Sequence, residues 1–76
     1  MELEKIAKKL GHMSDYDVQL KIDELKDVNT PKVQKLALDF CYSKPDCSLL
    51  GIPYERLNAK HFQRAKLAAY YVINDI

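Results

Sequence analysis

The sequence predicts an all-α protein, a compact bundle of four short helices with room for a fifth. Apolar residues recur with the periodicity of a helix along several segments, and residues that start or stop helices stand at the ends of those segments. The length of 76 residues supports one modest core and is too short for two. We therefore expect a single helical domain over residues 1–76.

The first two helices are predicted from an apolar face and a capping pattern. The first is expected over residues 2–10, before Gly11, with an apolar face formed by Leu3, Ile6, Ala7 and Leu10. Ser14 and Asp17 have the spacing of a capping box that starts the second helix. Its expected core stripe is Val18, Ile22 and Leu25. Residues 18–22 also alternate like a half-buried strand, but a helix is favoured because no tight turn supplies a hairpin partner.

The third helix is predicted from Thr30 and Pro31, because a proline at the first helical position loses no hydrogen bond. It is expected to end at about Tyr42, with a core face formed by Val33, Leu36, Ala37, Phe40 and the adjacent Cys41. Residues 43–57 hold both remaining prolines and are predicted to be a connector with one short helical turn near residues 46–50.

Asn58 is the predicted N-cap of the last helix, which is expected to run to about Ile73. Leu57 and Phe62 flank this cap with the spacing of a hydrophobic staple. The predicted buried stripe consists of Phe62, Ala65, Ala69, Val72 and Ile73. The opposite side of the helix is therefore expected to be exposed.

Charge and composition exclude several classes of function. The 12 basic and 11 acidic residues nearly cancel, so no net field attracts nucleic acid or an anionic membrane at long range. The sequence contains no apolar run of about 18 residues that could span a membrane, and its first ten residues do not resemble a signal peptide. Two cysteines are too few for a disulfide-rich secreted scaffold. We expect a cytoplasmic protein that does not contact membranes.

Four residues have side chains that bind zinc, namely His12, Cys41, Cys47 and His61, but their spacing does not predict a metal site. The two cysteines are farther apart than in structural zinc knuckles, and the histidines stand alone. Neither histidine is paired in sequence with a nucleophile, and no glycine-rich phosphate loop is present. We therefore expect no metal, no cofactor and no enzymatic activity.

An uneven charge distribution suggests nucleic-acid binding as one hypothesis. Residues 1–30 hold five basic and seven acidic residues, a net charge of −2, whereas residues 31–76 hold seven basic and four acidic residues, a net charge of +3. On the last helix a predicted basic and aromatic stripe, opposite Phe62 and Ala69, consists of Lys60, Arg64, Leu67 and Tyr71. Lys32, Lys35 and Lys44 could extend it along a phosphate backbone.

Protein binding is the leading hypothesis, because several large apolar residues are not explained by the predicted core: Tyr16, Leu20, Leu38, Tyr42, Tyr54, Tyr70 and Tyr71. Tyrosine is favoured at interfaces, where its ring is buried and its hydroxyl stays polar. The candidate binding residues are Tyr16, Leu20, Tyr70 and Tyr71. The sequence thus favours a small regulatory or interaction module with a protein partner, or a homodimer, and a small nucleic-acid-binding protein is the alternative.

Overall fold

The computed structural model describes residues 2–74, which form five α-helices and one 3₁₀ turn, with no strand in this range. The helices are α1 (Glu2–Leu10), α2 (Asp15–Glu24), α3 (Pro31–Tyr42), α4 (Lys44–Leu49) and α5 (Ala59–Asn74), and the 3₁₀ turn is Tyr54–Arg56. The predicted all-α class is confirmed. The segment that could have been a strand lies inside α2.

The predicted caps set the starts of three helices. The Ser14 hydroxyl accepts a hydrogen bond from the Asp17 amide at 3.1 Å, and the Asp17 carboxylate accepts one from the Ser14 amide at 3.4 Å, which completes a capping box. The Thr30 hydroxyl accepts from the amide of Val33 at 3.3 Å at the start of α3. The Asn58 side chain accepts from the amide of His61 at 3.1 Å at the start of α5. These bonds satisfy amides that have no partner within the helix.

The connector after α3 is more ordered than the sequence predicted. Ser43 ends α3 and also caps α4, because its hydroxyl accepts from the Asp46 amide at 3.4 Å. Pro45 therefore lies in the first turn of a new helix, which starts two residues before the predicted turn at 46–50. Gly51 ends α4 with a φ of 74°, and the Ile52 amide donates to the Cys47 carbonyl at 2.8 Å, as in a Schellman motif.

Helix α5 is the central helix, and the prediction that one side of it is exposed was wrong. Helices α1, α2 and α3 all pack against α5. Five consecutive residues, 65–69, are buried, and so is Tyr71. A helix surrounded by three others has no solvent face in its central turns, so its buried positions do not follow a single stripe. Phe62, Val72 and Ile73, which were predicted to be core, are only half-buried.

All five helices and the connecting segments contribute to one cluster of buried side chains. Its largest fully buried members are Leu10, Val18, Val28, Val33, Cys47 and Leu67. The small side chains of Ala65, Ala68 and Ala69, all without exposed surface, let the other helices approach α5 closely. Within residues 2–74, no helix is both long and apolar enough to cross a membrane.

Candidate protein-binding cleft

A cleft of about 220 Å³ opens between α3 and the start of α5. It is lined by Leu38, Cys41 and Tyr42 from α3 and by Leu57, Asn58 and Phe62 from the start of α5. We call this the apolar cleft. Leu38 is 44% exposed and Tyr42 is 73% exposed, so large apolar surfaces of both side chains contact water. The apolar cleft is therefore a concave surface with exposed apolar walls, as in many recognition grooves.

Local sequence explains how the walls of the apolar cleft arise. Leu38 and Tyr42 are four residues apart, so they lie one turn apart on the same face of α3, away from the buried Ala37 and Phe40. On the other wall, Leu57 precedes the N-cap and Phe62 follows it by four positions, at the spacing of the predicted staple. The position of Phe62 at the cleft explains why this ring is only half-buried.

Cations lie close to the apolar cleft. The Lys66 ammonium lies 5.8 Å from the centre of the Phe62 ring, and the residue is only 8% exposed. Its hydrogen-bond partner is the neutral side-chain oxygen of Asn29, at 2.6 Å. The Lys44 ammonium lies over the Tyr54 ring at 5.2 Å and lines a second open cleft, which also includes Glu55 and Arg56. Such contacts hold a cation against an aromatic face without neutralising its charge.

The second exposed apolar region is on α2, where Tyr16 and Leu20 point away from the core as predicted. A groove of about 320 Å³ runs beside Tyr16 and is lined mostly by polar side chains: Asp15, Gln19, Lys60 and Gln63. The Gln63 side-chain oxygen is buried and has no hydrogen-bond partner among the described residues. The α2 region thus presents a convex apolar pair next to a polar groove.

The other two predicted protein-binding residues are not on this surface. Tyr71 is 8% exposed and belongs to the core, and Tyr70 is half-buried with its ring centre 6.1 Å from that of Tyr71. The prediction that Tyr71 is a surface contact was wrong, because α5 is enclosed by three helices in this region. Tyr16 and Leu20 are therefore the members of the predicted set that are available to a partner.

The structure does not form the basic and aromatic stripe predicted for nucleic acid. Leu67 and Tyr71 are buried, and the guanidinium of Arg64 is directed inward. It donates to the carbonyl oxygens of Leu10 at 2.8 Å and Met13 at 2.7 Å, and it pairs with Asp15 at 3.3 Å. Arg64 therefore ties the α1–α2 connection to α5. The remaining candidates, Lys32, Lys35 and Lys60, are exposed, the first two on α3 and Lys60 on α5.

The cysteines are free thiols in the core. Cys47 donates to the carbonyl oxygens of Phe40 at 3.3 Å and Cys41 at 3.2 Å. Burial raises the pKa of both thiols; the neighbouring Cys47 raises that of Cys41 further, and Asp46 does so for Cys47. Among the described side chains, those of residues 3–74, no group of three His, Cys, Asp or Glu is arranged to hold a metal ion.

Comparisons with protein-family models, curated proteins and solved structures yield no significant match to this chain. Its function is therefore argued from its own residues.

Leu38 and Tyr42 are among the apolar residues that the predicted core does not explain, but the sequence pattern does not connect them to Leu57 and Phe62. The spacing of Lys35, Leu38 and Tyr42, three and four residues apart on the face of α3 opposite its core stripe, is the signal that could have identified one wall. The other wall could not be predicted, because the packing of α3 against α5 brings it there.

Proposed function

We propose that this chain is a small non-catalytic protein-binding module, cytoplasmic in location, and that the apolar cleft is its receptor surface. The observation that supports this most directly is the exposure of three large apolar side chains, Leu38, Tyr42 and Leu57, around one concavity. Covering such a patch removes apolar surface from water and contributes to binding, whereas scattered apolar residues need no explanation.

The size of the apolar cleft favours a protein partner over a small molecule. Pockets for drug-sized ligands and cofactors typically measure about 300–1,000 Å³. A cleft of about 220 Å³ fits one or two side chains of a docking segment instead. Its apolar base and its tyrosine at the edge also match the composition of protein interfaces, which are rich in aromatic residues at their centres.

A matched pair of variants tests the proposal, because Leu38 and Leu20 are almost equally exposed, at 44% and 45%, on different helices. Wild type, Leu38→Ser and Leu20→Ser are immobilised and exposed to nuclease-treated lysate of the source cells. Setting aside captured copies of this chain itself, we expect wild type and Leu20→Ser to retain the same protein in stoichiometric amount and Leu38→Ser to lose it. All three should be unchanged in circular dichroism.

Other outcomes would contradict the proposal. If only the Leu20→Ser variant fails to retain the protein, the binding surface is on α2 and not at the apolar cleft. Retention by all three chains of a protein other than this chain itself would show that neither region binds it. The immobilised chain could instead retain only nucleic acid from lysate that was not treated with nuclease, and release it at moderate salt. That result would support the alternative function, nucleic-acid binding through exposed lysines such as Lys32, Lys35 and Lys60.

A further inference from the structure

Resting on the proposed function, we infer that the apolar cleft binds the outer face of α2 from a second copy of this chain, in a head-to-tail arrangement. This outer face consists of Tyr16 and Leu20 with the flanking carboxylates Asp17, Asp23 and Glu24, and we call it the acidic α2 face. In this arrangement the apolar cleft and the exposed pair on α2 both contact another copy of the same chain.

The acidic α2 face has the form of a docking helix. Tyr16 and Leu20 lie one turn apart and are both exposed, and Asp23 and Glu24 follow one turn after Leu20 on the same side. An amphipathic helix that docks into a groove uses apolar anchors with this spacing. Lys21 lies 3.7 Å from Glu24 and partly offsets its charge, and Lys60 lies beside Tyr16 in the adjoining groove.

Three cations stand close in sequence to residues that line the apolar cleft. Lys35 lies one turn before Leu38 on the outer face of α3, Lys44 follows Tyr42 by two residues, and Arg56 directly precedes Leu57. Among the side chains of residues 3–74 the ion pairs are Lys21–Glu24 and Arg64–Asp15, so these three cations have no carboxylate partner within that range.

The acidic side chains of the same region do not cancel this positive charge. Residues 31–74 contain seven basic residues and three acidic ones, Asp39, Asp46 and Glu55. Lys66, whose ammonium lies 5.8 Å from the centre of the Phe62 ring and bonds to a neutral amide, adds a cation close to one lining residue of the cleft. Acidic side chains docking here would gain several favourable contacts.

The positions of the two surfaces make the association intermolecular. Asn58 and Phe62 line the apolar cleft, whereas Lys60 and Gln63 line the groove beside Tyr16, so the surfaces lie on different sides of α5. One copy therefore cannot fill its own cleft with its own α2. Because the two contacting surfaces differ, the interface is heterologous and leaves an open surface at each end of a dimer.

A complementation experiment follows from this geometry. Leu20→Ser damages the docking helix and leaves the cleft intact, and Leu38→Ser does the reverse, at nearly equal exposure. In sedimentation velocity we expect wild type to grow in mass with concentration and each variant alone to self-associate at least about tenfold more weakly. An equimolar mixture of the variants should form a one-to-one dimer and nothing larger, because one intact interface remains.

Two results would overturn the inference. A wild-type chain that stays monomeric over roughly a hundredfold range of concentration has no such interface. A mixture that fails to restore association means that any self-association uses a different surface, such as a two-fold symmetric contact. In either case, capture of another protein that depends on Leu38 would leave the proposed function standing, so the failures of the two are distinguishable.

The charge component has its own control. Lys35→Glu places an acid at the edge of the apolar cleft and should weaken self-association at least about tenfold, and added salt should weaken the wild-type association. Lys8→Glu makes the same charge change on an exposed position of α1 that does not line the cleft. Equal effects of the two variants would contradict a docking site with a specific cationic edge.

Discussion

Arg64 is the side chain that most directly joins two parts of the fold. Its guanidinium, with the side chain only 13% exposed, bonds to two carbonyl oxygens of the α1–α2 connection. Leu10 is the last residue of α1, and its carbonyl also accepts from the Met13 amide at 3.0 Å, whereas Met13 lies in the connection to α2. The sequence suggested that Arg64 contacts phosphate, but in the structure its side chain links α5 to the end of α1 and to the segment between α1 and α2.

We predict that Arg64→Met lowers the free energy of unfolding by about 1.5–3 kcal/mol, because two carbonyl oxygens lose a charged donor while the aliphatic packing is kept. Asp15→Asn is the control, since Asp15 is 54% exposed and its ion pair with Arg64 is worth less than about 1 kcal/mol. Urea denaturation of both variants measures the difference. Equal effects would mean that the carboxylate, not the carbonyls, is the important partner.

The buried thiols give stability a dependence on alkaline pH. Because burial raises the pKa of Cys41 and Cys47 above its ordinary value of 9.0, the unfolded chain releases these protons at lower pH than the folded one. Their contribution is fully present below about pH 9 and is lost as pH rises through the folded values. We predict a smaller decline of Tm above pH 9 in the double variant Cys41→Ala/Cys47→Ala. Parallel declines in the two proteins would contradict this prediction.

At the scale of elements, α5 determines how the other helices are arranged. Three helices pack on it, and its alanines set how closely they approach. We predict that Ala68→Leu lowers the free energy of unfolding by about 1–3 kcal/mol or more, because Ala68 has no exposed surface and the added atoms displace neighbouring side chains. Ala59→Leu, at the exposed start of the same helix, should leave thermal unfolding nearly unchanged. A tolerated Ala68→Leu would mean that α5 is less tightly enclosed.

At the scale of the whole molecule, the central position of α5 predicts cooperative unfolding. Helices α1, α2 and α3 each depend on contacts with α5, so none of them has a separate core to preserve it. We expect far-ultraviolet circular dichroism and tyrosine fluorescence to report the same midpoint on heating, as in a two-state transition. Measurements at low protein concentration keep self-association from shifting that midpoint. Separate transitions would indicate that part of the bundle folds alone.

The local features of this protein were determined by its sequence. Ser14, Thr30 and Asn58 start their helices as predicted, because a cap needs only a side chain and amides two or three residues away. The α2 helix and the exposure of Tyr16 and Leu20 were also predictable, because the apolar periodicity and the capping box of this helix both lie within about ten residues of sequence. The predicted start of α4 was less accurate, because Ser43 both ends α3 and caps α4.

Only the tertiary structure decided which faces are buried and which residues form a site. Tyr71 and Arg64 looked like exposed positions while α5 was treated as a helix with one partner, but three helices enclose it. The apolar cleft joins Leu38 of α3 to Leu57 and Phe62, residues about twenty positions away. Periodicity describes one helix at a time, whereas burial depends on how many neighbours each helix has and on which sides. That number is a property of the assembled bundle.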